Sequence, residues 1–93
     1  MAIIDFKCKD TETLFKGDRV SRFVNIESSA MRKLAMLNRA ALLSDLRVPP
    51  GNCLEALAGD RKEQHSIRIN QQWRLCFIWS EAGAAQVEIV DYH

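Results

Sequence analysis

A chain of 93 residues, 47% hydrophobic and 27% charged, is enough for one domain around one core and excludes a multi-domain architecture. A formal net charge of +1 excludes nucleic-acid binding through bulk charge, so any such contact must rest on a local basic patch. No apolar run approaches a membrane span, the N-terminus carries no signal-peptide pattern, and Cys8, Cys53 and Cys76 lack the paired spacing of a zinc or redox motif. A cytoplasmic protein with reduced thiols, no membrane contact and a single domain over residues 1–93 is the expectation.

In chain order, Ala2–Phe6 reads as a short opening strand. Asp10 is a candidate N-cap for a brief helix from Thr11 to Lys16, stopped by Gly17. Arg19 to Ile26 is basic and mixed and takes no firm assignment. Ser28-Ser29 offers a cap for the main helix, Ala30 to about Leu43, whose apolar stripe is Met31, Leu34, Ala35 and Leu42. Arg32, Lys33 and Arg39 fall on its outer side, where they either meet RNA or an acidic partner segment or, more commonly, are simply solvated. Val48-Pro49-Pro50-Gly51 breaks the helical region. Leu54 to Leu57 leads into Gly59-Asp60-Arg61.

The last third carries the clearest periodicity. Ile67 and Ile69 alternate with Ser66 and Arg68, and Trp73, Leu75, Phe77 and Trp79 alternate with a face that includes Arg74. A β-branched run from Val87 to Tyr92 follows a turn region at Gly83–Ala85. Three strands on short polar loops make an antiparallel meander. For the isoleucines to share a face with the tryptophan strand, the connecting loop must be odd in length, such as Asn70-Gln71-Gln72, because a one-residue slip reverses every side chain. That parity sets Arg68 and Arg74 opposite or nearly opposite each other, and like charges directly across a strand pair disfavour the bare fold by up to ~1 kcal/mol. Two readings follow. An anionic ligand gripped by the guanidiniums would relieve the repulsion, or Glu88 or Glu81 neutralises them on a solvated sheet face. His65 lies beside the apolar register of its strand and reads as structural.

The order Leu57-x-Gly59-Asp60-Arg61, Ser66-Ile67-Arg68-Ile69-Asn70, Trp73-Arg74-Leu75-Cys76-Phe77 and Asp91-Tyr92-His93 closely resembles HigB-type toxins, the plasmid-maintenance or killer-protein branch of the RelE/ParE superfamily. Arg22-Phe23-Val24-Asn25-Ile26, Arg32-Lys33-Leu34 and Leu46-Arg47-Val48-Pro49-Pro50-Gly51-Asn52 extend the likeness over essentially the whole chain, toward GraT-type members in particular. The resemblance implies an α+β fold, with two or three helices packed on one face of a small, mainly antiparallel sheet. It also implies a type II toxin that enters the ribosomal A site and cuts mRNA without a metal or other cofactor. The implied partners are the ribosome with its mRNA and a HigA-like helix-turn-helix antitoxin, operator DNA being bound only through that antitoxin.

Cleavage of RNA by this route needs an activated 2′-hydroxyl, a stabilised phosphorane and a protonated 5′-oxygen. Arg68 and Arg74 are the candidates for holding phosphate and its developing charge, with Arg61 and Lys62 as further phosphate contacts. His93 is the candidate general acid or base, since imidazole titrates near neutrality. Tyr92 is suited to stack on a base, and Asp91 to position His93 or act as a base itself. Each has a plainer reading: His93 as a frayed end, Tyr92 closing the core, Asp91 pairing with an arginine, Arg61 satisfying its loop. The same fold also supports ParE-type inhibitors of DNA gyrase, which are not nucleases, and ribosome binders that leave mRNA intact.

One departure from the family stands out. Some HigB-type nucleases carry a His and a Lys where this chain has Glu55 and Ala58, which removes a base and a cation from the loop and implies a slower nuclease. Ala58→Lys is accordingly expected to raise the rate of mRNA cleavage; an unchanged rate counts against that explanation.

Overall fold

The computed structural model describes residues 3–61 and 63–91; the assignments made for Ala2, Lys62, Tyr92 and His93 lie outside them. The main helix forms over an apolar stripe that buries Ala30, Leu34 and Leu37. Helix α1 spans Lys9–Phe15 and α2 spans Glu27–Arg39. Four antiparallel strands, β1 (Glu55–Ala56), β2 (His65–Arg68), β3 (Trp73–Ser80) and β4 (Gly83–Asp91), lie side by side in the order β1-β2-β3-β4. Ala30, Leu34 and Leu37 of α2 and Leu14 of α1 share one core with Ile67, Leu75, Phe77, Val87 and Ile89 of the sheet. This is the expected α+β architecture, with helices against one sheet face.

The odd loop is present, and a side chain explains it. The Asn70 carboxamide oxygen accepts from the backbone N–H of Gln72 and of Trp73, each at 2.8 Å, a local turn that Asn favours. Ile67 then pairs with Leu75 and Arg68 with Arg74, as the face parity requires.

Other expectations shift, for identifiable reasons. The last hairpin turns at Glu81-Ala82 rather than Gly83–Ala85, because Ser80 pairs directly with Gly83 and its hydroxyl accepts from the N–H of Ala82 at 3.2 Å. A register shift opposite Phe77 leaves Gln86 at φ 51° as the extra residue of a bulge. Glu55–Ala56 adds a fourth strand that two residues are too few to announce by periodicity.

The helices begin earlier than their apparent caps. Residues Ser21–Ile26 form a 3₁₀ turn that runs straight into α2 at Glu27. That turn precedes the helix where a serine cap was expected. Helix α1 begins at Lys9, placing Asp10 in its first turn with its carboxylate on Arg22 Nε at 2.9 Å. Helix α2 stops at Arg39 rather than continuing to Leu43. The Asp45 carboxylate accepts from the N–H groups of both Ala41 and Leu42 at 3.0 Å, turning the chain away and holding its own pKa below the ordinary carboxylate value. Leu42 is therefore 63% exposed instead of in the stripe, and Leu37 takes the buried place.

The opening segment runs parallel to β4 through two isolated bridges, Ile3 with Ala84 and Phe6 with Val87, rather than as a full strand. Its bonds still cover the outer edge of β4: Ile4 N–H to Ala84 O at 2.7 Å, Lys7 N–H to Val87 O at 3.0 Å, and Ile89 N–H to the buried Thr11 hydroxyl at 3.0 Å. The packing predicts a sharp contrast on chemical denaturation. Leu34→Ala, at 0% exposure, should lower stability by about 2–5 kcal/mol, whereas Leu42→Ala should change it by no more than ~0.5 kcal/mol.

Candidate active site

The sheet face turned away from the core carries two cross-strand rows. Register places Glu55, Ser66, Cys76 and Glu88 in one row, and Arg68, Arg74 and Val90 in the next. The first row is small in the middle and acidic at both ends. Ser66 and Cys76 leave a shallow bed over the sheet, and the guanidinium of Arg74 lies in it.

Arg74 is anchored. Its Nε donates to Ser66 Oγ at 2.8 Å, one terminal nitrogen donates to the Cys53 carbonyl at 2.7 Å, and that nitrogen lies 3.4 Å from the Glu55 carboxylate. Its side chain is only 12% exposed. A charge so enclosed is tolerated because its hydrogen-bond donors meet acceptors. The opposed arginines are thus accommodated without a ligand: Arg74 swings toward β1, and its charge meets Glu55.

Arg61 is held in a parallel way. It donates to Gln64 Oε1 and Glu88 Oε1, both at 3.0 Å, and Lys7 Nζ stands 3.7 Å from the same Glu88 oxygen. The neutralising role expected of Glu88 is therefore directed at Arg61 and Lys7, while Glu55 serves Arg74. Between these pairs sits the Cys76 thiol, pushed up to about 11 by burial, with the charges of Arg61, Glu88, Arg74 and Glu55 all acting on it. Two cations and two carboxylates thus converge above one buried sulfur.

Arg68 differs from both. It is half-buried at the end of β2, directly across from Arg74, and its guanidinium makes no hydrogen bond or ion pair with the other described residues. It is the side chain on this face best able to turn two parallel N–H groups toward a phosphate. Asp91 pairs with Trp73, which puts its side chain on the opposite parity from the arginines, and Gln72 Nε2 donates to it at 3.2 Å. The sheet therefore brings Arg61, Arg68 and Arg74 to one face and leaves Asp91 at the end of β4 on the other. Lys62, Tyr92 and His93 lie outside the described residues. His65 stacks against Phe77 with ring centroids 6.4 Å apart and a buried Nδ1 that has no hydrogen-bond partner among the described residues, in keeping with a packing role.

Several residues that build the site escaped the sequence reading. Asn52, fully buried, donates to Leu46 O at 3.0 Å and accepts from Lys33 Nζ. Burial, with the Arg32 charge beside it, lowers the Lys33 pKa. Asn52 fixes the short turn Pro50–Asn52, and Cys53 follows in the left-handed region at φ 48°, a conformation uncommon for a residue with a side chain. That conformation accompanies the presentation of the Cys53 carbonyl to Arg74. The available signal was Pro49-Pro50-Gly51-Asn52 itself, which marks a constrained turn but not what the turn presents. Among the described residues no three of His, Cys, Asp and Glu are grouped as a metal site would need, and no helix is long and apolar enough to cross a membrane.

The geometry separates an anchored arginine from an open one, and their removal should separate likewise. Arg74→Ala leaves the buried Ser66 hydroxyl without its partner and is expected to lower stability by about 1–3 kcal/mol. Arg68→Ala should stay within ~0.5 kcal/mol. Urea unfolding of both variants decides this, and equal losses would refute the distinction.

A family model described as "RelE-like toxin of type II toxin-antitoxin system HigB" matches residues 4–93. The chain is 41% identical over 92 residues to "Toxin HigB-1" of Vibrio cholerae serotype O1, covering 97% of this chain and 96% of that protein. It is 40% identical over 62 residues to an uncharacterized protein of Haemophilus influenzae, covering 66% of this chain and 61% of that one. Superposition on a solved structure, "YoeB/ParE toxin from Agrobacterium tumefaciens", spans 100% of this chain and 99% of the other, with a TM-score of 0.46 and 20% identity. With the family match running through both arginine strands, the chain belongs to the HigB-like toxins, the RelE-like toxins of type II toxin–antitoxin systems.

Proposed function

We propose that this toxin is a ribosome-dependent endoribonuclease that cuts mRNA in the A site and so inhibits translation and growth. The observation that carries the proposal is the pairing of an open guanidinium, Arg68, with an anchored one, Arg74, on a single sheet face. An anchored cation keeps its position as charge builds on the phosphorane, which is the source of electrostatic catalysis. An open one is able to grip the substrate phosphate as it arrives. Arg61 adds a cation to this face, and Lys62 is a further phosphate contact in this reading.

The chain end supplies the remaining chemistry in this reading. His93 is the general acid that protonates the leaving 5′-oxygen, Tyr92 stacks on an unpaired base, and Asp91 positions the segment. Acid catalysis and charge stabilisation are then side-chain functions, and the reaction in this reading needs no metal. The product is a 2′,3′-cyclic phosphate with a 5′-hydroxyl fragment. The protein acts in the cytoplasm on ribosomes. A HigA-like helix-turn-helix antitoxin neutralises it through an acidic surface complementary to the arginine face, and the complex binds operator DNA through the antitoxin.

Defined mRNA on translating ribosomes, in EDTA and without a tag after His93, tests the reading. Cuts confined to the A-site codon, ending in a cyclic phosphate and reduced at least ~100-fold by His93→Ala, are expected. A free 3′-hydroxyl product overturns the mechanism. Intact mRNA with the toxin bound to ribosomes overturns nuclease activity in favour of a non-nucleolytic effector, and inhibition of gyrase supercoiling would assign the ParE-like activity.

A further inference from the structure

Arg74 Nε is held by Ser66 on the neighbouring strand, while a terminal nitrogen is held by the Cys53 carbonyl, in the loop before β1. One bond at Nε leaves a planar guanidinium free to turn about it. The bond to Cys53, at 2.7 Å, sets its plane. The Glu55 carboxylate at 3.4 Å is 52% exposed, and an ion pair so open to solvent holds its partner loosely. The direction of the Cys53 carbonyl therefore governs where the Arg74 charge points.

Cys53 keeps that direction in a conformation its own side chain does not favour. Its φ of 48° and ψ of 52° are left-handed, a region uncommon for a residue with a Cβ. The thiol is exposed, so its packing does not explain the choice. Asn52, the residue before it, is 0% exposed. Its Nδ2 donates to the Leu46 carbonyl and lies near Met36 Sδ, each at 3.0 Å, and its Oδ1 accepts from Lys33 Nζ. An ammonium only donates and a carbonyl only accepts, so the side chain between them must offer both an acceptor and a donor, as an amide does. The backbone N–H of Asn52 donates to Pro49 O at 2.9 Å, and that of Cys53 to Pro50 O at 3.1 Å. With Asn52 pinned at its side chain and its N–H, the chain leaves the buried site by turning at Cys53.

We infer that Asn52 is a positioning residue for Arg74, holding Cys53 in its left-handed conformation so that the Cys53 carbonyl fixes the plane of the guanidinium. Lys33 contributes from α2 by occupying Oδ1. Asn52 makes no contact with Arg74 itself and acts through the next carbonyl in the chain. The kinetic consequence rests on the nuclease reading above. There Arg74 stabilises the phosphorane and Arg68 grips the incoming phosphate, so a loosened Arg74 lowers kcat and leaves KM in place.

Cys53→Gly and Cys53→Val separate backbone conformation from side chain. Both remove the exposed thiol, but glycine adopts positive φ freely and a β-branched residue resists it. With isotope-labelled arginine, NMR measures how fast the Arg74 guanidinium rotates in the wild type, in these two variants and in Asn52→Ala. The kcat and KM for mRNA cleavage on programmed ribosomes are measured alongside. Rotation should stay slow in Cys53→Gly and become fast in Cys53→Val and Asn52→Ala, and in those two kcat should fall roughly 10- to 100-fold at unchanged KM. Equal rotation in Cys53→Gly and Cys53→Val overturns the inference, whether or not Asn52→Ala folds. Slow rotation in a folded Asn52→Ala, or a rise in KM with kcat intact, overturns it as well. Absence of cleavage by the wild type overturns the nuclease reading instead, and the rotation rates then decide the role of Asn52 by themselves.

Discussion

The guanidinium of Arg74 lying across Ser66 to the Cys53 carbonyl is the contact on which the rest of the face depends. It joins three strands in one span, from its own place on β3, over β2, to the turn that starts β1. Strand β1 is two residues long, and few backbone bonds secure so short an edge. A side chain supplies the missing tie. The same bonds immobilise a positive charge next to an open one, so stability of the edge and order in the site come from one residue.

Much of this architecture was visible in the alternation of apolar residues. Ile67 and Ile69 against Trp73, Leu75 and Phe77 required a loop of odd length, and that parity put Arg68 opposite or nearly opposite Arg74 before any fold was known. The reason is that a one-residue slip would turn every buried side chain outward, so the parity of the pairing is fixed once one face is buried. What alternation does not encode is direction within a face. Nothing in the spacing says that Arg74 turns toward β1 rather than standing beside Arg68, because that depends on Ser66 being small and on a carbonyl 21 residues away in sequence.

The remaining misreadings share a cause. Ser28-Ser29 looked like a helix start and Leu42 like a helical core residue because local rules assume that each helix begins from extended chain and ends by propensity. Here a 3₁₀ turn precedes α2, and the Asp45 carboxylate captures the chain beyond it. Contacts several residues away displaced both boundaries. Family motifs recovered some of what periodicity missed: the stretch around Pro49-Pro50-Gly51-Asn52 belongs to the likeness, and it turns out to build the socket for Arg74.

The segment from Ile3 to Thr11 closes over the edge of β4 by bonds that connect residues as much as 81 positions apart. Contacts of such sequence separation form late, since the loop between them must be closed before they add any stability. During synthesis at roughly 5–20 residues per second, the chain up to β3 lacks the strand that shields Leu75 and Phe77 and donates the Ile89 N–H to the Thr11 hydroxyl. Glu88, the anchor for Arg61, is also still to come. Arg61 gains its Glu88 anchor only once β4 has been made and docked, so that corner of the charged face is completed after the Arg74 corner, whose partners Ser66 and Cys53 precede β4.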